Sequence, residues 1–203
     1  MTPQVLPLSA DAPDPAVLKQ AADVIRSGGL VVFPTETVYG LAADAVNPEA
    51  IERLNRLKGR PPDKPYSLHL HSLAQLRELV PQVPALAQRL MERFWPGPIT
   101  IVIPSQNGGL MGFRLPDHPV ALAFLQACER PVVAPSANHS GSPPPTDAQE
   151  VLQGLQSGFE LLLDCGPTRL GRESSVVQVI GDQVEVLREG AVSREAILTS
   201  LHE

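Results

Sequence analysis

The sequence predicts a single α/β domain with a mixed sheet and flanking helices. Its 203 residues suffice for one well-buried core. Apolar segments with helical spacing alternate with short β-branched runs, but without a strict strand–helix–strand rhythm. No internal repeat or linker-like segment divides the chain, so we expect one domain over residues 1–203.

The helix predictions depend on capping residues and on apolar residues three or four positions apart. Residues 1–14, rich in Pro, Asp and Ala, predict a loose lead. Asp14-Pro15 is typical of an N-cap followed by proline in the first turn, and Gly28-Gly29 ends that helix. Ser72 and Asp147 (or Thr146) are predicted caps further along. The predicted helices are 16–27, 48–57, 72–79, 84–94, 120–128, 146–155 and 193–202.

The strand predictions depend on short apolar runs that end at turn residues. Residues 30–33 predict a buried strand stopped by Pro34, and Gly181-Asp182 between two apolar runs predicts a hairpin. The predicted strands are 30–33, 67–71, 99–103, 131–134, 159–164, 174–180 and 183–187.

Composition narrows the class of function. The net charge of -6 argues against a generic nucleic-acid binder, although a local basic cleft is compatible with it. Cys128 and Cys165 lack metal-ligand spacing, so small core residues are the favoured interpretation. With no N-terminal signal pattern and no apolar run near ~18 residues, we expect a cytoplasmic protein without a membrane anchor.

Five segments are too polar, or too rich in glycine and proline, to be explained by packing alone. The first, 34–41, directly follows a buried strand, where ligands gather in open α/β sheets. Its hydroxyls and carboxylate suit a polar substrate. A turn in which Thr35 or Thr37 bonds the local backbone is equally compatible with the spacing.

Two further segments carry conspicuous cations. Lys58 and Arg60, one residue apart at a helix end, suit a triphosphate. Taken alone, interaction with the helix C-terminus explains them more economically. Arg114 lies in an apolar, strand-like stretch, 113–116, and needs an anionic partner if it is buried. A substrate carboxylate and an internal Asp or Glu both remain open.

The last two segments are loops. In segment 134–141 a predicted strand is followed by Ser136-x-Asn138 and a turn that contains glycine. This loop offers hydroxyl, amide and backbone donors to a phosphate. A solvated turn uses the same residues. Segment 171–175, together with Arg188, is also compatible with ordinary hairpin surface.

Familiar catalytic and nucleotide motifs are missing from the sequence. It contains no Walker A loop, G-x-G-x-x-G, G-x-S-x-G or H-E-x-x-H. His69 and His71 share a strand face, but polar filling is favoured over a metal site. The segments share many cations and hydroxyls with few acids, which favours positioning and charge stabilisation of phosphates over acid–base or covalent work.

These segments resemble the YrdC/TsaC family. Their order and spacing match over roughly residues 15–195, and the K-x-R…S-x-N signature is present. The matching segments are PTETVYGL (34–41), KGRP (58–61), FWPGPIT (94–100), FRLP (113–116) and APSANHSG (134–141). The resemblance implies a twisted α/β fold with a large open central cavity, in the short, single-domain form.

The activity implied by the resemblance is L-threonylcarbamoyladenylate synthase. L-Threonine, bicarbonate (or carbon dioxide) and ATP would give threonylcarbamoyl-AMP and pyrophosphate, for N6-threonylcarbamoylation of adenosine 37 in tRNA. Mg²⁺ would accompany ATP, and partner proteins would transfer the group to tRNA. Whether tRNA contacts this protein directly stays open.

The same resemblance implies roles for individual residues, with Lys58 and Arg60 as the catalytic pair. The ATP contacts would be Lys58, Arg60, Ser136, Asn138 and Arg188. The threonine pocket would be Thr35, His69, Arg114 and Ser174, with Arg114 pairing the amino-acid carboxylate.

Three positions depart from the family pattern. Tyr66 stands where leucine is frequent, and Ser174-Ser175 stands where S-T is frequent. The last strand ends in Arg188-Glu189-Gly190 rather than R-P-G, and an acid beside Arg188 would weaken a phosphate contact.

Two other functions compete with this one. The first is a non-catalytic relative that binds RNA or a nucleotide; the intact K-x-R and S-x-N sets and the acidic pI disfavour it. The second is a carbamoyl-transferring relative that uses carbamoyl phosphate, which the short length disfavours.

Overall fold

The computed structural model describes residues 2–61, 65–80, 82–105 and 108–202. Within them the chain forms one mixed sheet of ten strands. The strands are Gln4–Pro7 (β1), Val31–Phe33 (β2), Gly40–Asp44 (β3), Leu68–His69 (β4), Ile99–Pro104 (β5), Leu110–Arg114 (β6), Val132–Val133 (β7), Leu161–Asp164 (β8), Ser175–Ile180 (β9) and Gln183–Arg188 (β10). Their order across the sheet is β1-β8-β2-β3-β7-β4-β6-β5-β9-β10. The predicted α/β class with a mixed sheet is confirmed.

Five of the seven helices in the described ranges begin at a residue whose side chain caps a free N–H group. Asp14, Ser72 and Asp147 each accept a hydrogen bond from the first turn, as the sequence predicts. In the described part of the chain the helices are Pro15–Arg26 (α1), Pro48–Lys58 (α2), Leu73–Leu79 (α3), Ala85–Phe94 (α4), Pro119–Cys128 (α5), Ala148–Leu155 (α6) and Arg194–Thr199 (α7). No described helix combines the length and the apolar character that a membrane span requires.

Alternating side chains of the central strands divide the core between the two faces of the sheet. Val31 and Phe33 of β2 pack with α1 and α5, whereas Leu30 and Val32 face the cluster that contains α2, α4 and α6. The two faces are therefore both covered, and the polar cavity described below opens among strands nearer the other end of the sheet.

The prediction of a loose lead over residues 1–14 is wrong for its first part. Residues Gln4–Pro7 form β1, an edge strand parallel to β8, with Gln4 opposite Leu161. Leu8 N also donates to Asp164 O at 2.8 Å. Because none of the four β1 residues is fully buried, the strand carries no apolar alternation that the sequence could reveal.

A second strand was missed because its residues are small. β3 spans Gly40–Asp44 (GLAAD) and is buried along its whole length, between β2 and β7. Glycine and alanine have low strand propensity, and a fully buried strand shows no alternation. The strand-like stretch around Arg114 is confirmed as β6, which pairs with β4 and β5.

Candidate active site

An open cavity of about 750 Å³ lies among β4, β5, β6, β9 and the loops that follow α2 and β7. This is the open cavity expected for the fold. Eight of the nine predicted site residues line it: Lys58, Arg60, His69, Arg114, Ser136, Asn138, Ser174 and Arg188. Thr35 is the exception.

Lys58 connects the end of α2 to the loop after β7. Its Nζ donates to the carbonyl oxygens of Ser136 at 2.6 Å and Asn138 at 2.7 Å. Ser140 N returns a hydrogen bond to Lys58 O at 2.8 Å. Burial, together with the charge of Arg60, lowers the pKa of Lys58 to about 8. The K-x-R and S-x-N segments are therefore one physical unit.

Asn138 shapes this loop from within. Its Nδ2 donates to the carbonyl oxygens of Ser142 at 2.6 Å and His139 at 3.1 Å. At the start of the loop, Ser136 bridges to Gly40 on β3. The amide thus keeps Ser136 and the following glycine turn in one shape against the sheet.

Arg60 follows Gly59, which ends α2 in the left-handed conformation at φ 60°. The Arg60 Nη2 donates to Pro65 O at 2.9 Å, and its guanidinium carbon lies 4.7 Å from the centroid of the Tyr66 ring. Its Nε is buried and has no hydrogen-bond partner among the described residues. The guanidinium is thereby held at the cavity wall by a carbonyl and an aromatic face.

Arg114 has an acidic neighbour inside the protein. Its Nη2 lies 2.9 Å from Glu36 Oε1 and donates to Thr37 Oγ1 at 2.7 Å. Both charged side chains are buried, with 6% and 1% of their surface exposed. Of the two partners left open by the sequence, the internal acid is present. Because Arg114 also lines the cavity, a substrate carboxylate would share the guanidinium with Glu36.

Glu36 does not itself line the cavity, although the sequence suggested its carboxylate as a possible substrate contact. It lies behind Arg114, and neither of its oxygens has a hydrogen-bond partner among the described residues, so the contact with Arg114 is one of charge proximity. The sequence did not reveal this role. The contact between Glu36 and Arg114 depends on how the strands bring segment 34–41 next to the end of β6.

Thr35 lies outside the cavity lining and is only 2% exposed. Its hydroxyl donates to Val38 O at 2.7 Å and accepts from the backbone N–H of Thr37 and Val38. This is the local hydrogen bonding that the sequence left as an alternative. A contact between Thr35 and threonine stays a prediction.

His69 and Ser174 lie on the cavity wall near Arg114. Burial and the neighbouring Arg114 charge lower the pKa of His69 to about 3, so the imidazole is neutral near pH 7. Ser174 Oγ lies 2.9 Å from Thr100 Oγ1. Across the described ranges, no group of three His, Cys, Asp or Glu side chains is placed to hold a metal ion.

Arg188 is held by Ser174 and Glu173. Its Nη2 and Nε donate to Ser174 O at 2.9 and 3.2 Å, and its Nη1 lies 3.1 Å from Glu173 Oε1. Glu189 instead lies 3.7 Å from Arg172 and accepts from Arg194 N. The acid that offsets the charge of Arg188 is therefore Glu173, and not the adjacent Glu189 suggested by the sequence.

Comparison with known proteins places this chain in a family. Residues 23–190 match the Sua5/YciO/YrdC family, which carries the description "Telomere recombination". The threonylcarbamoyl-AMP synthases of Pyrococcus abyssi and Bacillus subtilis are 42% and 40% identical to this chain, over 89% and 91% of its length. The match covers 56% of each relative, so the chain spans little more than half the length of these curated relatives.

The fold is similar to that of a solved structure from the same group. The crystal structure of P. abyssi Sua5 complexed with L-threonine has a TM-score of 0.90 and 37% sequence identity. The similarity covers 97% of this chain and 60% of that chain. The fold, the sequence identity and the family match agree, and the chain belongs to the Sua5/YciO/YrdC family.

Proposed function

We propose that this protein is a nucleotidyltransferase that forms threonylcarbamoyl-AMP and pyrophosphate from L-threonine, bicarbonate or carbon dioxide, and ATP. The observation that carries the proposal is the union of Lys58, Arg60, Ser136 and Asn138 in one cavity that Arg114 also lines. Relatives named threonylcarbamoyl-AMP synthase and a similar structure holding L-threonine support it.

The Lys58–Arg60 end of the cavity suits the phosphates of ATP. Glu173 is the one carboxylate that lines the cavity within the described ranges, and it lies beside Arg188. The charge of Glu173 also acts on Lys58, against the larger effects of burial and Arg60. One acid faces the cations Lys58, Arg60 and Arg188, so the local potential is positive, and a low-dielectric wall strengthens it. Ser136 and the N–H groups of its loop add neutral donors.

The Arg114 end suits an amino acid. Its guanidinium presents donors to a carboxylate, and the hydroxyls of Ser174 and Thr100 lie within the same wall. The neutral imidazole of His69 adds a polar group without a second positive charge. We assign L-threonine to this end, with Arg114 facing its carboxylate and Ser174 near its polar groups.

The proposed chemistry proceeds in two bond-forming steps. The neutral threonine amine adds to carbon dioxide and passes a proton to solvent, which gives a carbamate. A carbamate oxygen then attacks the α-phosphorus of ATP, the bond to the bridging oxygen breaks, and pyrophosphate leaves. Lys58 and Arg60 stabilise the charge that develops on the phosphates, and no protein nucleophile is needed.

Mg²⁺ fits this site only as a companion of ATP. A cavity with one carboxylate among its described lining residues offers too few oxygen ligands for a dedicated site, while phosphates and water suit the ion. Bound there, it would neutralise phosphate charge. For the later steps we propose partner proteins that transfer the threonylcarbamoyl group to adenosine 37 of tRNA, in the cytoplasm.

Pyrophosphate release tests the proposal. The purified protein is incubated with ATP, Mg²⁺ and bicarbonate, with and without L-threonine, and the adenylate is identified by mass spectrometry. We expect release that depends on both L-threonine and bicarbonate, with L-valine as the matched control that lacks the hydroxyl. Release without threonine dependence would overturn the proposal. ATP binding without turnover would favour the non-catalytic relative.

A further inference from the structure

Tyr66 lies on the cavity wall directly beneath Arg60. The guanidinium carbon is 4.7 Å from the ring centroid, which is well within the range of a cation–π contact. Both side chains are half-buried, and partial removal from water strengthens such a contact. Tyr66 therefore does more for Arg60 than fill space.

The ring is itself anchored to the helix that carries the cations. Tyr66 Oη donates to Asn55 Oδ1 at 2.8 Å, and Asn55 belongs to α2. The backbone carbonyl of the same asparagine accepts from Arg60 N at 3.0 Å. Asn55 thus fixes both the backbone of Arg60 and the ring beneath its guanidinium.

The contact leaves the donors of Arg60 usable. Stacking occupies one face of the guanidinium, whereas its five N–H donors lie in the plane. One donor at Nη2 is used by Pro65 O. A phosphate that enters the cavity can still approach an edge of the group.

We infer that Tyr66 is the positioning residue for Arg60, and that it orders the guanidinium for a phosphate-bearing nucleotide before the ligand arrives. The inference rests on the function proposed above. An arginine that is already ordered loses less conformational entropy on binding, so the gain falls on nucleotide affinity. Leucine at this position would supply volume but neither an aromatic face nor a hydroxyl.

Two substitutions separate the ring from its anchor. Tyr66→Leu removes both, and we expect the dissociation constant of a non-hydrolysable ATP analogue to rise about 5- to 10-fold, with a matching rise in KM for ATP. Tyr66→Phe keeps the ring, and we expect a rise of about 2-fold or less. The KM for L-threonine should stay near its wild-type value in both variants.

A double-mutant cycle distinguishes positioning from general loosening of the cavity. In an Arg60→Ala background, Tyr66→Leu should cause no further loss of analogue affinity, because the group that it positions is gone. An equal loss in both backgrounds, or unchanged affinity for the single Tyr66→Leu variant, would overturn the inference. If Tyr66→Leu does not fold, Asn55→Ala and Tyr66→Phe are measured singly and together. Their effects on analogue affinity should be non-additive, because each removes the same hydrogen bond between Tyr66 and Asn55.

The outcomes also separate this inference from the proposed function. If the wild-type protein binds the analogue but shows no threonine-dependent pyrophosphate release, the proposed reaction is refuted. The positioning role is then still tested by the double-mutant cycle, which measures binding alone. An active wild type with an unaffected Tyr66→Leu variant refutes the positioning role alone. Wild-type protein that does not bind the analogue refutes both.

Discussion

The cations at the two ends of the cavity have different kinds of partner. Lys58 donates to two backbone carbonyls and Arg60 to one carbonyl and an aromatic face. In the part of the chain that the structure describes, neither forms an ion pair with a carboxylate. At the other end Arg114 lies 2.9 Å from the carboxylate of Glu36.

If the proposed function is correct, this difference would direct two different anions to the two ends of one cavity. Neutral partners hold a cation in place but leave its charge to act on a ligand, so the Lys58–Arg60 end is suited to the polyanion that we propose for it, even in a protein of net charge -6. An arginine with an internal carboxylate keeps its directed donors while most of its charge is offset. Such a group suits one carboxylate better than a triphosphate.

The strongest test of the unpaired end is Lys58→Ala. It removes the charge and both hydrogen bonds that hold the 136–138 loop, so threonine-dependent pyrophosphate release should fall at least about a thousandfold. Lys19→Ala is the matched control, because Lys19 is an exposed lysine paired with Asp23 on α1 and should have no effect. Wild-type turnover by a folded Lys58→Ala protein, judged by circular dichroism, would remove this residue from the site.

The paired end is tested by Glu36→Gln. The variant leaves Arg114 buried without its acid, so the free energy of unfolding should fall by about 3 kcal/mol in urea titrations. L-Threonine should stabilise this variant more than the wild type, because its carboxylate replaces the missing charge.

Glu52→Gln is the control for this comparison. Glu52 pairs with Arg56 on an exposed face of α2, where we expect a change below about 0.5 kcal/mol. Equal stabilisation of Glu36→Gln and wild type by L-threonine would contradict the placement of its carboxylate at Arg114.

The sequence was sufficient where the signal is local. Caps at Asp14, Ser72 and Asp147, the hairpin at Gly181-Asp182 and the polar runs that follow strands are all short-range patterns, and the structure confirms the elements that they predict. β1 and β3 were not predicted, because an exposed edge strand and a run of small buried residues show no alternation of apolar and polar side chains.

Short-range sequence patterns could not predict the side-chain partners of the site residues. Which acid meets Arg114 depends on how segment 34–41 packs against β6, and the bonds of Lys58 to 136–138 depend on where α2 ends relative to β7. Adjacency in the chain even misleads, since Glu189 follows Arg188 but faces Arg172. Sequence patterns predict which groups are available, whereas the order of strands decides which groups meet.

The lowered pKa of Lys58 gives the unpaired end a pH dependence. The ammonium loses its proton as the pH rises through about 8, so the affinity for an ATP analogue should fall up to about tenfold per pH unit above that value. The unfolded chain keeps this proton up to a higher pH, near 10.5, so the Lys58 contribution to the free energy of unfolding rises over the same interval. Stability and binding should move in opposite directions.

Analogue binding measured from about pH 7.5 to about pH 10 checks this, because it avoids the titration of threonine and bicarbonate. A folded Lys58→Arg variant should lose the dependence, since arginine stays charged throughout. A wild-type affinity that is constant across the range would show that Lys58 is not the group that titrates.

The smallest effect is expected at Arg188, where the ion pair is partly exposed. Glu173→Gln removes the acid that offsets Arg188 and should tighten analogue binding about 2- to 3-fold in buffer without Mg²⁺. Glu189→Gln is the matched control and should change nothing, because that acid faces Arg172. Tighter binding by Glu189→Gln and no change in Glu173→Gln would show that Glu189 is the acid that offsets the charge of Arg188. A loss of affinity for Glu173→Gln confined to buffer with Mg²⁺ would instead assign Glu173 to the metal that accompanies ATP, since it is the one carboxylate found among the described residues of the cavity lining.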